Sequence, residues 1–410
     1  MPDIIVIGGG AAGLLAAGTA KDYGGDVIVF EKNKRVARKV LITGKGRCNL
    51  TNNTNLQGLI SSVANGGRFL YSAFSQFSSE DTMALFEGLG VPLMTERGNR
   101  VFPKSERAVD VVDALQRYTK NVTRVETEVE DIVIENNCVK GVLLKSGETV
   151  ECKKIIVATG GLSYSATGST GDGYKFARKA GHTVTNLTGS LVPLEMHEGF
   201  CSVLQGLSLK NVGVAVHKEG VKKPIYTDFG ELVFTHFGLS GPVVLSASSH
   251  LPDAESGNYT FTIDLKPALT NEMLDARLLK DFAKYSNRDF INSLSDLLPK
   301  SLISVIVNLS GISPHKRVNE ITKAERQQLL YVLKNFKMHI TGKRPIEEAI
   351  ITSGGVKVSE INPATMESKL CSGLYFAGEV IDVDAYTGGF NLQIAFSTGY
   401  LAGKSSVEDV

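Results

Sequence analysis

The run Gly8-Gly9-Gly10-Ala11-Ala12-Gly13 and the acid Glu31 are the residues whose types and spacing point first to chemistry. Gly8 permits a tight turn, Gly10 leaves the backbone bare for a pyrophosphate, and Gly13 lets a helix pack closely on a sheet. A helix opening at this turn offers free N–H groups and the positive end of its dipole to phosphates. Glu31 lies 18 residues past Gly13, where its carboxylate can accept hydrogen bonds from both ribose hydroxyls of an adenosine. That chemistry is dinucleotide binding. The same glycines alone could mark nothing more than close helix–strand packing.

The flanking elements decide between the two. Asp3 to Ile7 is rich in β-branched residues and reads as a buried parallel strand. Leu14, Leu15, Ala16, Ala17 and Ala20 then read as a helix of small apolar side chains, with Gly18 keeping it slim. Gly24-Gly25 stops it, and Val27 to Phe30 is a second buried strand ending at Glu31. Strand, glycine turn, helix, strand and acid fall in order, which a lone glycine motif does not supply.

Three later segments select FAD over NAD. Ile155-Ile156-Val157-Ala158-Thr159-Gly160-Gly161 is a buried strand ending in Thr-Gly-Gly. Upstream, Thr127 to Ile134 and Val139 to Leu144 alternate as a hairpin around Asn136-Asn137, with Val129 placed to meet adenine through its backbone. Gly373 to Gly378 is a further buried strand that runs into Glu379, with Asp382 and Asp384 beyond. Gly388-Gly389-Phe390-Asn391-Leu392-Gln393 opens a last helix, whose N-terminus would stabilise negative charge on a reduced flavin. The expected cofactor contacts also take in Ala12, Lys32, Arg38, Thr43, Gly44, Gly46, Arg47, Cys48, Asn49, Gly160, Gly161 and Gly378.

The segments Ile42 to Asn49, Phe234 to Pro242 and Gly388 to Gln393 resemble the signatures of one bacterial flavoprotein family. Its members are labelled NAD(FAD)-utilizing dehydrogenases, and some are described as aminoacetone oxidases or reductases of dehydro-bile acids. The resemblance covers essentially the whole chain. It implies a non-covalent FAD, an FAD-binding domain in two parts and an inserted domain.

The fold class expected is α/β: a glutathione-reductase-like FAD-binding Rossmann domain at 1–189 and 350–410. The insert is expected as a β-subdomain at 190–268 and 339–349, interrupted by a small helical subdomain at 269–338. Leu191 to Met196, Val212 to His217, Glu231 to Thr235 and Tyr259 to Leu265 read as its strands. Asn271 to Met338 is helical in period, with a capping box at Thr322, and Ala349 to Val358 returns to strand around Gly354-Gly355. No second GxGxxG occurs in the insert, so an NAD(P)H donor would dock transiently on a non-Rossmann surface.

The formal net charge is +1, from 44 Lys and Arg against 43 Asp and Glu, with no long run of one sign. Nucleic acid is therefore not expected as the main partner. The apolar stretch Ile4 to Ala20 lacks a basic leader and is interrupted by glycines, so no membrane partner and a cytoplasmic protein are expected. Five scattered cysteines without a CxxC pair give no disulfide framework or dithiol, and the seven histidines show no metal spacing.

No catalytic acid or base stands out. Arg47, His236 and Tyr386 are the candidates, with a loop-holding arginine, a hydrogen-bonded histidine and a packed tyrosine as the respective alternatives. Cys48 has no evident base and reads as a small buried residue of the flavin loop. The activity expected is hydride transfer between flavin N5 and a small organic substrate, with NAD(P)H as donor. The alternatives are an oxygen-using amine oxidase, a non-catalytic flavin-binding redox sensor and an RNA-modifying flavoenzyme, the last disfavoured by the near-neutral charge.

Overall fold

A computed structural model of the chain describes residues 1–251 and 253–408. They fall into two compact units, Met1–Ser190 with Ile346–Val410, and Leu191–Pro345.

The first unit is built on β1 (Ile4–Ile7), which is wholly apolar and buried. It leads through the helix α1 (Ala11–Asp22) into β2 (Val27–Glu31). The helix α2 (Arg38–Ile42) follows, and β3 (Thr123–Glu126) pairs beside β2. The hairpin β4 (Val129–Glu135) and β5 (Cys138–Leu144) turns at Asn136 and Asn137, at φ 51° and 56°. Two consecutive left-handed residues are what a two-residue turn of matching twist requires, and asparagine tolerates that region best among residues with a side chain.

The chain then crosses to the other side of β1, where β6 (Lys154–Val157) pairs with it in parallel. Next to β6 lies β7 (Leu374–Phe376), completing a parallel sheet in the order β7-β6-β1-β2-β3. The strand order reverses between β1 and β6. In an open parallel sheet the crevice beyond the carboxyl ends at such a reversal is where ligands bind.

The last helix, α3 (Phe390–Glu408), packs along α1. This contact is possible only because both surfaces are small. A Cβ on Gly399 would lie 2.5 Å from the Ala12 carbonyl oxygen, and one on Gly403 would lie 2.3 Å from that of Ala16. Neither obstacle is a side chain that can swing away. Gly403→Ala is expected to destabilise the protein by about 1–3 kcal/mol, the usual cost of overpacking, read as a lower midpoint in thermal unfolding.

The second unit contains a closed antiparallel barrel of six strands. In spatial order they are Leu194–Met196, Gly238–Ser240, Tyr226–Phe234, Ser208–Lys218, Tyr259–Asp264 and Phe336–Lys343. Closure leaves no unpaired strand edge. The helices Asn271–Lys284, Lys300–Ser310 and Lys323–Lys334 lie in sequence between the last two strands, and their apolar faces share one buried cluster with the barrel. Thr322 and Glu325 form the expected capping box.

Two expectations about elements are corrected. The helical pattern does not run to Met338: the last helix ends at Lys334 and a strand begins at Phe336. Phe336, Met338 and Ile340 are all fully buried on one face of that strand, a period of two in place of 3.6. The strand expected from Ala349 to Val358 shrinks to Ile351–Ser353. Gly354 at φ 92° and Gly355 at φ 155° take the backbone out of the sheet.

No helix among the described residues is long and apolar enough to cross a membrane, and none of their His, Cys, Asp and Glu groups is arranged to hold a metal.

Candidate functional site

A deep cavity opens at the carboxyl ends of β1, β2, β6 and β7, where the topology places it. The sheet order sets out its two ends. Glu31, Lys32 and Asn33 line it at the end of β2, with Thr127 to Val129 alongside. Gly8 to Ala12 line the middle from the β1 turn, facing Ala158, Thr159 and Gly160 at the end of β6. Ala377, Gly378 and Glu379 follow from β7, joined by Lys39, Thr43, Ile350, Ile351, Asn391 and Leu392.

The β1 turn is shaped for something that is not protein. A Cβ on Gly13 would sit 1.9 Å from the Gly8 carbonyl oxygen, so the helix rests directly on the turn. A Cβ on Gly10, by contrast, would have no heavy atom nearer than the Ala158 carbonyl oxygen at 4.0 Å, so its bare backbone faces the cavity. No side chain caps α1, leaving its leading N–H groups to a ligand. Thr159 lines the same cavity, while its hydroxyl is buried against Gly173 and has no hydrogen-bond partner among the described residues. These features fit the phosphates and sugar of a dinucleotide.

Glu31 is buried and held from three sides. One carboxylate oxygen accepts from the Gly9 N–H at 2.8 Å, and the other from the Asn33 N–H at 2.8 Å and side-chain amide at 2.7 Å. The carboxylate is thus oriented by the same turn it serves, with one lone pair, on the oxygen that meets Gly9, left for a hydroxyl donor. Arg38 donates to the Asn33 side chain at 2.7 Å, and Lys32 pairs with Asp172 at 2.6 Å.

At the opposite end the expected Glu379 is joined by Lys39 and Ser163, which sequence reading missed. The Lys39 ammonium donates to Glu379 at 2.5 Å and to the Ser163 hydroxyl at 2.7 Å. Ser163 donates to the second Glu379 oxygen at 2.7 Å, which also accepts from the Thr352 N–H at 2.9 Å. Nothing around Lys39 in sequence marks it off from its basic neighbours. Its partners lie 124 and 340 positions away, so only the fold shows the cluster.

Of the sequence-predicted residues, Gly8, Gly10, Ala12, Glu31, Lys32, Arg38, Thr43, Val129, Thr159, Gly160, Gly378, Glu379, Asn391 and Leu392 line the cavity. The rest lie outside its lining. Gly13 and Gly161 serve close packing, the latter against Thr352. Gly44 and Gly46 form a tight turn beyond Thr43. Asp382 accepts from Asn65 at 2.7 Å. Gln393 is fully buried, accepting from Thr51 at 2.6 Å and Thr82 at 2.9 Å and donating to the Phe77 carbonyl and Ser397. With its amide oriented to suit both neighbours, Asn49 donates to the Thr51 carbonyl at 3.2 Å and accepts from the Gly389 N–H at 3.0 Å. Gly388 and Gly389, both at positive φ, pass close to Thr51 and Asn52. This network fixes the start of α3.

None of the three catalytic candidates lines the cavity. Arg47 pairs with Glu96 at 2.5 Å and Glu106 at 2.7 Å and lies over the Phe102 ring at 4.3 Å. His236 is exposed in a barrel turn of the second unit, edge-on to Phe237. Tyr386 is half-buried, with its phenol pushed above its usual range by burial and by the charge of Asp384.

Cys48 is fully buried, and desolvation pushes its thiol up to about 12 despite a hydrogen bond with Thr43. Burial likewise takes Cys152 and Cys201 to about 12. A thiol reagent acts on the thiolate. Cys48, Cys152 and Cys201 are therefore expected to stay unmodified in the native protein at mildly alkaline pH and to react on unfolding. Peptide mapping after labelling checks this, and rapid native labelling of Cys48 would contradict it.

The family model described as "HI0933-like protein Rossmann domain" matches residues 2–405. A 3-dehydro-bile acid delta(4,6)-reductase from Clostridium scindens is 30% identical over 100% of both chains. A ribosomal RNA dihydrouridine synthase from Escherichia coli is 33% identical, covering 98% of this chain and 99% of the relative. In fold, the chain is similar to a 3-ketosteroid delta1-dehydrogenase from Sterolibacterium denitrificans, with a TM-score of 0.55 and 14% identity over 100% of both chains. The chain belongs to the HI0933-like family, carries an FAD-binding Rossmann fold and is an FAD-dependent oxidoreductase.

Proposed function

We propose that this oxidoreductase is a reductase driven by NAD(P)H, adding hydrogen across a carbon–carbon double bond conjugated to a carbonyl in a small organic substrate. The observation that carries the reading is the full-length match to two relatives whose names differ in substrate and agree in reaction type. A delta(4,6)-reductase and a dihydrouridine synthase are each named for adding hydrogen to a double bond.

Bound FAD supplies hydride transfer, which no protein side chain can perform. The chain's own residues hold and orient it. The β1 turn and the α1 N-terminus would take the pyrophosphate, Glu31 the adenosine ribose and the Val129 backbone the adenine. Lys39, Thr43, Glu379, Asn391 and Leu392 would meet the far end, three strands away from Glu31. With no second GxGxxG in the insert, NAD(P)H would dock only transiently.

The test is to reduce the purified protein without oxygen and mix it with a steroid 4-en-3-one. The reading expects the yellow flavin band to return as the enone absorbance falls. If enones leave the reduced protein untouched while oxygen reoxidises it and small amines reduce it, the protein is an amine oxidase and the reading fails.

A second reading puts the acceptor, a uracil ring, inside RNA. The near-neutral total charge speaks against it, yet the charge is unevenly placed. Residues 269–338 hold eleven Lys and Arg against seven Asp and Glu, a net +4, leaving −3 on the rest of the chain. Such asymmetry favours a polyanionic partner for that segment.

A further inference from the structure

We infer that the helical segment of the second unit carries a docking groove for an RNA backbone, built around Arg288, Lys300 and Arg317. The inference rests on the reading that the acceptor base lies within RNA.

A groove of about 800 Å³ opens here, lined by these three cations, Asn287, Asn292 and the one acid Asp289, with two serines and three aliphatic residues completing its wall. That carboxylate is already engaged: it pairs with Arg317 at 3.2 Å and faces His315 at 3.4 Å. Arg317 is further pinned by donating to the Asn287 carbonyl at 2.8 Å. Arg288 and Lys300 differ. Among the described residues neither has a carboxylate within ion-pair distance, and both are exposed. Arg288 instead lies over the Tyr285 ring at 4.7 Å, which fixes the guanidinium without neutralising it.

The groove therefore presents two uncompensated cations and one anchored Arg–Asp pair, bordered by neutral amides that can donate or accept. It sits in a segment, residues 269–338, with a net charge of +4. A phosphodiester matches it on both counts: its charge answers Arg288 and Lys300, and its oxygens accept from guanidinium and amide donors. The groove would hold backbone and read no base.

The experiment measures binding of a fluorescent single-stranded, uridine-containing RNA to the FAD-loaded full-length protein by anisotropy across salt concentrations. The variants are Arg288→Gln/Lys300→Gln, the charge-reversed Arg288→Glu/Lys300→Glu, and Lys140→Glu as an exposed basic control in the first unit. Loss of two phosphate contacts should weaken binding about tenfold and flatten the salt slope by about 1.4. Charge reversal should weaken it further, while the control binds as the parent does. Flavin content and melting temperature should not move, since the changed side chains are on the surface.

Parent-like RNA affinity in both double variants would overturn the groove while leaving RNA as a partner. Absence of RNA binding by the parent protein would overturn the RNA reading and the groove with it. Competition by polyglutamate as strong as by RNA would assign the groove to an acidic protein segment and overturn the inference as stated.

Discussion

A Gly13→Ala protein is expected to emerge from purification colourless and to unfold at a clearly lower temperature than the parent. The added methyl would lie 1.9 Å from the Gly8 carbonyl oxygen and 3.3 Å from the Ala158 side chain. Neither Gly8 nor the sheet beneath it can yield independently. A Cβ on Gly8 would itself be 2.6 Å from the Ala158 carbonyl, so turn and strand are already in contact. Relief therefore requires α1 to lift off the sheet. That costs about 1–3 kcal/mol of packing or more and withdraws the α1 N-terminus from the cavity. Stability and cofactor retention should fall together. The flavin-to-protein absorbance ratio and the thermal midpoint check this, and a yellow protein of parental stability would contradict it.

Glu31→Ala is expected to weaken FAD retention by about tenfold to a hundredfold, with a smaller loss of stability. Three N–H donors converge on this carboxylate: the Gly9 and Asn33 backbones and the Asn33 side chain. Stranding buried donors costs about 1–3 kcal/mol, and every 1.4 kcal/mol is about tenfold in affinity. The Gly9 donor sits inside the phosphate turn, so the acid shapes the turn as well as the ribose end. Glu31→Gln keeps the volume but turns one acceptor into a donor facing a donor, and should recover little. The dissociation constant of FAD from the stripped protein, followed by flavin fluorescence, separates these outcomes. Parental affinity in Glu31→Ala would show that Glu31 contributes nothing to the cofactor.

The part of the molecule written in short-range pattern was legible in advance. Gly8 to Glu31 announces a turn, a helix and an acid because each step depends on near neighbours in the chain. Asn136-Asn137 announces a hairpin because few residues tolerate two left-handed conformations in succession. The residues of the long-range contacts were not legible. Closure of the barrel pairs Leu194–Met196 with Phe336–Lys343 across more than a hundred residues, and no local pattern marks one as the partner of the other.

The site shows the same division. Glu31, Gly10 and Thr159 could be placed from local motif and strand end. Lys39 could not, because its role comes from Ser163 and Glu379 brought in from distant segments. The loop from Gly44 to Asn49 gives the opposite lesson. Its motif is distinctive, yet Arg47 turns to Glu96 and Glu106, and Asn49 turns to Thr51 and Gly389. Distinctive residues in a glycine-rich loop can be spent on holding the loop. In this protein Arg47 ties the loop to Glu96 and Glu106, Asn49 secures the approach of α3, and the cavity wall is left to Thr43 and α2.

The central claim, a flavin reductase fed by NAD(P)H, is tested most directly by one anaerobic titration. The yellow protein is mixed with NADH and with NADPH, and the flavin absorbance is followed. The account predicts rapid bleaching by at least one of them, at a rate that rises with nicotinamide concentration and then saturates. A flavin that keeps its colour in excess NADH and NADPH, yet bleaches with a chemical reductant, would contradict it.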